Sequence, residues 1–365
     1  MVAVPATPVV ITSGTAMGDA VVQTGGGTES VAVWIDGRFV RRLATPTPRR
    51  LAVKLPVGLH SLRVRAKGPG GTRWSRTASL WVLPASAKLA KGIGGRTEPS
   101  LQADVVRLTG RLPAISGVYV QHLVSGCGAG VNAAAQFPAA STLKAAILLD
   151  VERRSKGAPS ATMNRLLDQM IIDSDDQAAN QVLAIQGGGD AVAGAGRVTQ
   201  TMRAMGLSSS LIRRPYIIEP LARQGRPIPV GVTARPALYT NFISTPFELA
   251  RMISAVHRGM RGGGPLPGIG IGATTLRTAV VPRLLRVRDR TKLVAGAPDG
   301  VLVAHKSGYN TNVKHDAGIM YLPSGPVVVV AMSWSETAVT DAVGDRFIAD
   351  VAQAAARRLR AGGRC

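Results

Sequence analysis

Apolar and polar positions repeat with two different periods along the chain, and the change falls near residue 90. Before it the period is two. Leu62, Val64 and Ala66 alternate with Arg63 and Arg65, and Ala78, Leu80 and Val82 alternate with Ser79 and Trp81. Successive side chains of a strand point to opposite faces, so this pattern predicts sheets with one dry and one wet face. SVAVWIDGRFVRRL carries Asp36-Gly37 between two strand-like runs, which predicts a hairpin. GLHSLRVRAKGPGGTRWSRTASLWVLP reads as a second hairpin.

After residue 98 helical periodicity takes over. PSLQADVVRLTGRL is expected to be a helix, SGVYVQHLV a strand, and CGAGVNAAAQF a turn that leads back. A helix is expected from about residue 142 to 154, followed by helices in TMNRLLDQMII, DQAANQVLAI, VTQTMRAMGL and TPFELARMISAVHRGM. VLVAHKSGY, HDAGIMYL and PVVVVAMSW then read as strands, and VGDRFIADVAQAAARRLR as a closing helix. The order of strands, helices, strands and helix predicts an α+β fold, an antiparallel sheet packed with helices plus a helical subdomain. Three parts follow: residues 1–84 as a small all-β sandwich, 85–98 as a linker, and 99–365 as the α+β domain. The short repeated strands of the first part resemble an immunoglobulin-like sandwich, although the Cys, Trp and Cys pattern of that family is absent. Its expected role is a spacer or docking module.

Composition narrows the function. The 365 residues suit two domains, and 45% hydrophobic content supports a sizeable core built of aliphatic side chains, since only 4% are aromatic. Net charge is +23, which favours anionic partners such as a cell-wall polymer. Lys and Arg form no dense block interleaved with aromatics, so no specific nucleic acid partner is expected. The two cysteines, Cys127 and Cys365, suggest neither a disulfide framework nor a zinc site, and no histidine pair has metal-ligand spacing. No metal or cofactor is expected. MVAVPATPVVITSG lacks a basic segment followed by a long apolar run, so it does not read as a signal peptide. A cytosolic location, or an export signal outside this sequence, would account for that.

The candidate chemistry begins in FPAASTLKAAILLD. Ser141 would sit at a helix N-terminus with Lys144 on the same face one turn later. Such a pair serves as a helix cap and a surface lysine, or as a nucleophile and its base. A serine hydroxyl needs an adjacent base, and a lysine can supply it if burial lowers its pKa. Two further stretches favour chemistry: IIDSDDQAAN places Ser174, Asp175 and Asp176 between helices, and LVAHKSGYNTN places Lys306, Ser307 and Gly308 at a strand end.

STLK, SDD and KSG stand in the order of the Ser-x-x-Lys, Ser-Asp-Asn and Lys-Thr-Gly set of penicillin-binding proteins and class A β-lactamases. With the flanks FPAASTLK, SDDQAAN, STPFELA and HKSGYNTNVKHDAGIMYLP, residues 99–361 resemble a class A β-lactamase catalytic domain. The resemblance implies that Ser141 is acylated, Lys144 takes its proton, and Ser174 relays a proton to the leaving nitrogen. It implies that Lys306 and Ser307 hold a substrate carboxylate, that Lys314 adds charge to it, and that the N–H groups of Ser141 and Tyr309, beside Gly308, form an oxyanion hole. Asp176 stands where the family has Asn; it is expected to border the substrate and to raise the Lys144 pKa. Only 33 residues (174 − 141) separate Ser141 from Ser174, which implies a missing helical piece. Glu219, in PYIIEPLARQ, is the candidate deacylating base. The implied activity is opening of β-lactam amides by a monomeric serine hydrolase outside the cytoplasm. A penicillin-binding, D,D-peptidase-like or esterase-like hydrolase acting on peptidoglycan-derived substrates, and a non-catalytic wall-binding relative, remain as alternatives.

Overall fold

The computed structural model describes residues 2–3, 9–12, 20–24, 30–43, 49–51, 55–68, 73–83, 89–90, 95–217, 241–335, 339–360 and 365. The chain divides into two units, Met1–Ser86 with Arg277–Pro282, and Ala87–Leu276 with Arg283–Cys365.

The first unit is built of strands. β2 (Val9–Thr12), β4 (Ser30–Ile35), β5 (Arg38–Leu43), β7 (Gly58–Lys67) and β8 (Arg73–Leu83) form a five-stranded sheet in the order β2-β8-β7-β4-β5. β1 (Val2–Ala3), β3 (Ala20–Thr24) and β6 (Arg49–Leu51) form a second sheet, β1-β3-β6. Both expected hairpins form: β4 and β5 turn at Asp36-Gly37, where both residues take positive φ, and β7 pairs antiparallel with β8. The period of two becomes a dry face of Val31, Val33, Ile35, Leu43, Leu62, Val64 and Ala66. Asp36 braces the turn by accepting hydrogen bonds from His60 Nδ1 at 2.7 Å and Ser61 N at 2.8 Å.

The second unit is α+β, as expected. Its sheet runs β10-β9-β16-β15-β14, all neighbours antiparallel, from β9 (Ile115–His122), β10 (Gly128–Val131), β14 (Val303–Tyr309), β15 (Val313–Leu322) and β16 (Gly325–Trp334). Every residue of β15 and β16 is buried, because helices cover both faces. α1 (Pro99–Arg111) and the closing helix α7 (Asp341–Leu359) cover one face with Leu101, Val105, Phe347, Val351 and Ala355. On the other lies α6 (Pro246–Gly259), packed on β9, β15 and β16. The helical part holds α2 (Lys144–Arg154), α3 (Ala161–Ile172), α4 (Asp176–Gln186) and α5 (Ala191–Ala204). α3 is the single helix between α2 and Ser174. Short helical turns fill residues 265–296, a stretch whose pattern predicted no element. Among the described residues, no helix is long and apolar enough to cross a membrane.

Two features correct the sequence reading. Cys127 and Cys365 form a disulfide, Cα–Cα 5.8 Å, across a sequence separation of 238 residues. Two cysteines make no framework, but they can make one staple that ties Cys365 to the chain just before β10. The expected linker is also partly embedded in the second unit. Ala90 N donates to Leu123 O, Gly128 N to Arg96 O, and Glu98 N to Gly128 O, at 2.8–3.0 Å.

Candidate active site

The turn before α2 carries the first motif. Residues 140–143 form one turn of 3-10 helix, which runs directly into α2 at Lys144. Two neighbours clamp this turn. Ala139 N donates to Phe242 O at 2.9 Å, next to a small sheet in which β13 (Phe242–Ser244) pairs with β11 (Phe137–Pro138) and β12 (Leu211–Ile212). From β15, His315 Nε2 donates to Pro138 O at 2.6 Å while its Nδ1 accepts from Ser333 N. Burial pushes His315 down to about 4, so its imidazole is neutral and can hold that donor–acceptor pair.

β14 crosses the same turn. A Cβ placed on Gly308 would lie 2.9 Å from Thr142 N, 3.0 Å from Ser141 N and 3.1 Å from Ala139 O. Only a residue without a side chain allows the strand carrying Lys306 and Tyr309 to pass so near the Ser141 backbone.

The second motif lies between α3 and α4. Ser174 has φ of 60°, and Ala140, just before Ser141, has φ of 46°. Non-glycine residues pay for that conformation, and such strain collects at functional sites. Asp175 caps α4, its Oδ1 accepting from Ala178 N at 2.7 Å.

Two lysines converge on Ser174. Lys306 Nζ donates to Ser174 Oγ at 2.9 Å and to Ser307 O at 2.9 Å. Lys144 Nζ donates to Ser174 O at 2.5 Å, to Asp176 Oδ1 at 2.5 Å, and lies 3.4 Å from Ser174 Oγ. None of the Lys144 hydrogen bonds among the described residues goes to the Ser141 hydroxyl. Both lysine side chains are fully buried, and burial disfavours the charged form of each. Lys306 is pushed down to about 7, first by burial and then by the charge of Lys144. Lys144 also falls below its ordinary value, because burial outweighs the opposing pull of Asp176 and Asp175. Asp176 raises the Lys144 pKa as expected, but the carboxylate is 43% exposed, and desolvation of the amine is the larger effect, so the net shift is downward.

The structure therefore brings together Ser141, Lys144, Ser174, Asp176, Lys306, Ser307, Gly308 and Tyr309. Lys314 stands opposite Tyr309 in the β14–β15 ladder. It is engaged elsewhere, donating to Asn310 O at 2.7 Å and pairing with Asp341 at 2.9 Å. Glu219 lies outside the described residues.

Two neighbours were not foreseen. Tyr216 is buried with its ring 4.7 Å from Lys144 Nζ, stacked on Phe242, and its hydroxyl 3.4 Å from Ala140 O. Asn180 fixes it in place, donating to Tyr216 O at 2.8 Å and accepting from Tyr216 N at 2.7 Å. Lys292 is the second. Its amine pairs with Asp289 at 2.6 Å and Asp345 at 3.1 Å and lies 5.3 Å from the Tyr309 ring. Burial acts against its charge, but the two carboxylates outweigh that and hold the amine above its ordinary value. Lys292, Asp289, Asp345, Tyr309, Ser307 and Ser174 border one cavity of about 450 Å³. The one sequence signal was the charge cluster RDRTK, which carries no motif. Among the described residues, no group of three His, Cys, Asp or Glu side chains could hold a metal ion.

The description "Beta-lactamase enzyme family" matches residues 155–359, more than half of the chain and including Ser174 and Lys306. The chain belongs to the β-lactamase enzyme family. Ser141 and Lys144 precede the matched segment. Among curated proteins none matches. Solved structures share the fold. PBP-A has TM-score 0.58 and 22% identity over 75% of this chain and 100% of its own. A variant of PBP-A, solved as an acyl-enzyme complex with penicillin G, has TM-score 0.58 and 23% identity over 73% and 98%. A β-lactamase from Sphaerobacter thermophilus has TM-score 0.55 and 19% identity over 73% and 99%.

Proposed function

We propose that this β-lactamase-family chain is a serine hydrolase of the class A type, which opens β-lactam amides through an acyl-enzyme on Ser141. The observation that carries the reading is the Ser174 hydroxyl held between two fully buried amines, Lys144 and Lys306, one helical turn from Ser141. Ser141 Oγ attacks the lactam carbonyl carbon and the ring C–N bond breaks. The Ser141 proton passes to the Lys144 amine, which first gives up a proton and exchanges part of its contact with Asp176 and the Ser174 carbonyl for the Ser141 hydroxyl. From Lys144 it passes through Ser174 Oγ to the departing nitrogen. Lys144 is one turn from Ser141, and burial lowers its pKa, which eases loss of its proton. The close pass of Gly308 supports an oxyanion hole from the Ser141 and Tyr309 N–H groups. Ser307 and Lys292 border the cavity that would take an anionic substrate group, and Lys306, bonded to Ser174 at its wall, would add positive charge. The disulfide supports work outside the cytosol, because such bonds persist in oxidising compartments.

The test is incubation with a fluorescent penicillin followed by intact mass over time. An adduct on Ser141 that forms and then decays, with hydrolysed penicillin accumulating, is expected; an outcome with neither adduct nor hydrolysed penicillin would sink the proposal. Gly308→Val should slow adduct formation by about 10²–10³, the loss that follows when one oxyanion donor is misplaced. An unchanged rate would remove the oxyanion role from β14.

The second-order acylation constant reports groups of the free protein. Lys306 gives up its proton as pH rises through about 7, and with it the charge that attracts an anionic substrate. The constant should therefore fall above pH 7, and Lys306→Arg should flatten that limb. The stability sign is separate. The unfolded chain binds this proton up to the ordinary lysine range, so the penalty of burying the charge is fully present below about 7 and is relieved as pH rises beyond it.

A second reading, a penicillin-binding type with a lasting adduct, is favoured by Tyr216. Its phenol covers Lys144, and burial raises it well above the ordinary value, so at neutral pH it is protonated and no base for water. Glu219 is the proposed deacylating group in the first reading. Glu219→Gln should leave acylation unchanged and slow release by about 10²–10⁴. If wild type and variant hold the adduct equally long, the second reading stands.

A further inference from the structure

The wet face of the β2-β8-β7-β4-β5 sheet carries features that catalysis does not use. Its register sets two rows across three strands. Arg63 of β7 stands opposite Trp34 of β4, which stands opposite Phe39 of β5. In the next row Arg65 stands opposite Ala32, which stands opposite Arg42. Opposed residues lie roughly 5 Å apart, and rows on one face about 7 Å apart, so Arg42, Arg63 and Arg65 share one face with the two aromatic residues. The rings touch edge to face at 5.7 Å, and Arg65 lies 4.9 Å from the Trp34 ring. Among the described residues, none of Arg42, Arg63 and Arg65 pairs with a carboxylate. Asp36, at the nearby turn, is already held by His60 and Ser61.

Apolar side chains are exposed at that same turn end of the sheet. Phe39 is 57% exposed, Leu59 54% and Val57 43%. His60 and Ser61, which bond to Asp36, place the start of β7 beside the β4–β5 turn. An apolar edge backed by a basic band is what a protein needs to rest on an anionic bilayer: the edge enters the interfacial layer and the cations meet headgroup phosphates. A soluble polyanion would use the arginines and leave Val57 and Leu59 without a partner.

We propose that this face docks the protein on an anionic membrane surface, with Phe39, Val57 and Leu59 in the interface and Arg42, Arg63 and Arg65 on the headgroups. The test is co-sedimentation of the full chain with phosphatidylglycerol-containing vesicles and with pure phosphatidylcholine vesicles. Binding to the first, weakened by salt, and none to the second is expected. Arg42→Gln, Arg63→Gln and Arg65→Gln together should weaken it about a hundredfold, since each cation near such a surface contributes roughly fivefold. Phe39→Ser with Leu59→Ser should weaken vesicle binding about tenfold and leave any binding of inorganic polyphosphate unchanged. All five substitutions are on exposed positions, and penicillin labelling of Ser141 with an unshifted melting temperature checks that each variant is folded. Absence of vesicle binding overturns the proposal. So does vesicle binding that ignores Phe39→Ser with Leu59→Ser while polyphosphate or RNA binds as tightly, which would make the face a site for soluble polyanions.

Discussion

Ser141→Ala should abolish the penicillin adduct without unfolding the protein. The hydroxyl takes no hydrogen bond among the described residues that the fold depends on, and the turn is held by backbone contacts and by Thr142 Oγ1, which donates to Ala139 O at 2.6 Å. Removing Oγ therefore removes the reacting atom and little else. Lys144→Ala should slow acylation by about 10³ or more, because a serine without its base is a poor nucleophile. It should also lower stability, since Asp176 and the Ser174 carbonyl lose their common donor. Intact mass and a thermal melt on each variant separate the two effects. An adduct that persists in Ser141→Ala would move the nucleophile elsewhere. Labelling of Lys144→Ala at the wild-type rate would leave Lys306 as the base.

Cys365→Ser is expected to destabilise the second unit strongly. A bridge across 238 residues restricts the unfolded chain, and the chain-entropy estimate for such a loop is about 5 kcal/mol. At about 2–4 °C per kcal/mol for a unit of this size, the melting temperature should fall by roughly 10–20 °C. Cys365 is the cleaner of the two to replace, because it is exposed, whereas Cys127 is fully buried and its loss would also leave a cavity. Reductant should give wild type the same shift and leave Cys365→Ser unmoved. A melt that does not respond to either change would show that the bridge does not contribute to stability.

The sequence carried the sheet and most helices because their signals are local. The alternation in β7 and the Asp36-Gly37 turn need only neighbours a few residues away, and both stand in the structure as read. The three motif segments were legible for another reason: each is a fixed string of residue types, whatever lies around it. Legibility ended where an interaction depends on distant partners. Nothing near Cys365 says that Cys127 will stand 5.8 Å away. Lys292 reads as one cation among 44 until Asp289, Asp345 and the end of β14 are brought to it. Tyr216 gains its meaning from Asn180 and Lys144, both far back in the sequence. The pull of Asp176 on Lys144 was legible, but the net lowering was not, because sequence shows the neighbouring carboxylate and not the depth at which the amine is buried.

Ala140 and Ser174 have a consequence for engineering. Both hold a left-handed backbone that glycine adopts freely, at a cost of order 1–3 kcal/mol each. A search for stabilising substitutions would therefore be drawn to these two positions. At Ser174 the relief would delete the hydroxyl that two lysines share; at Ala140 it would loosen the peptide that aims Ser141. Selection for heat resistance alone would tend to erode this site, so variants should be ranked by labelling rate and melting temperature together.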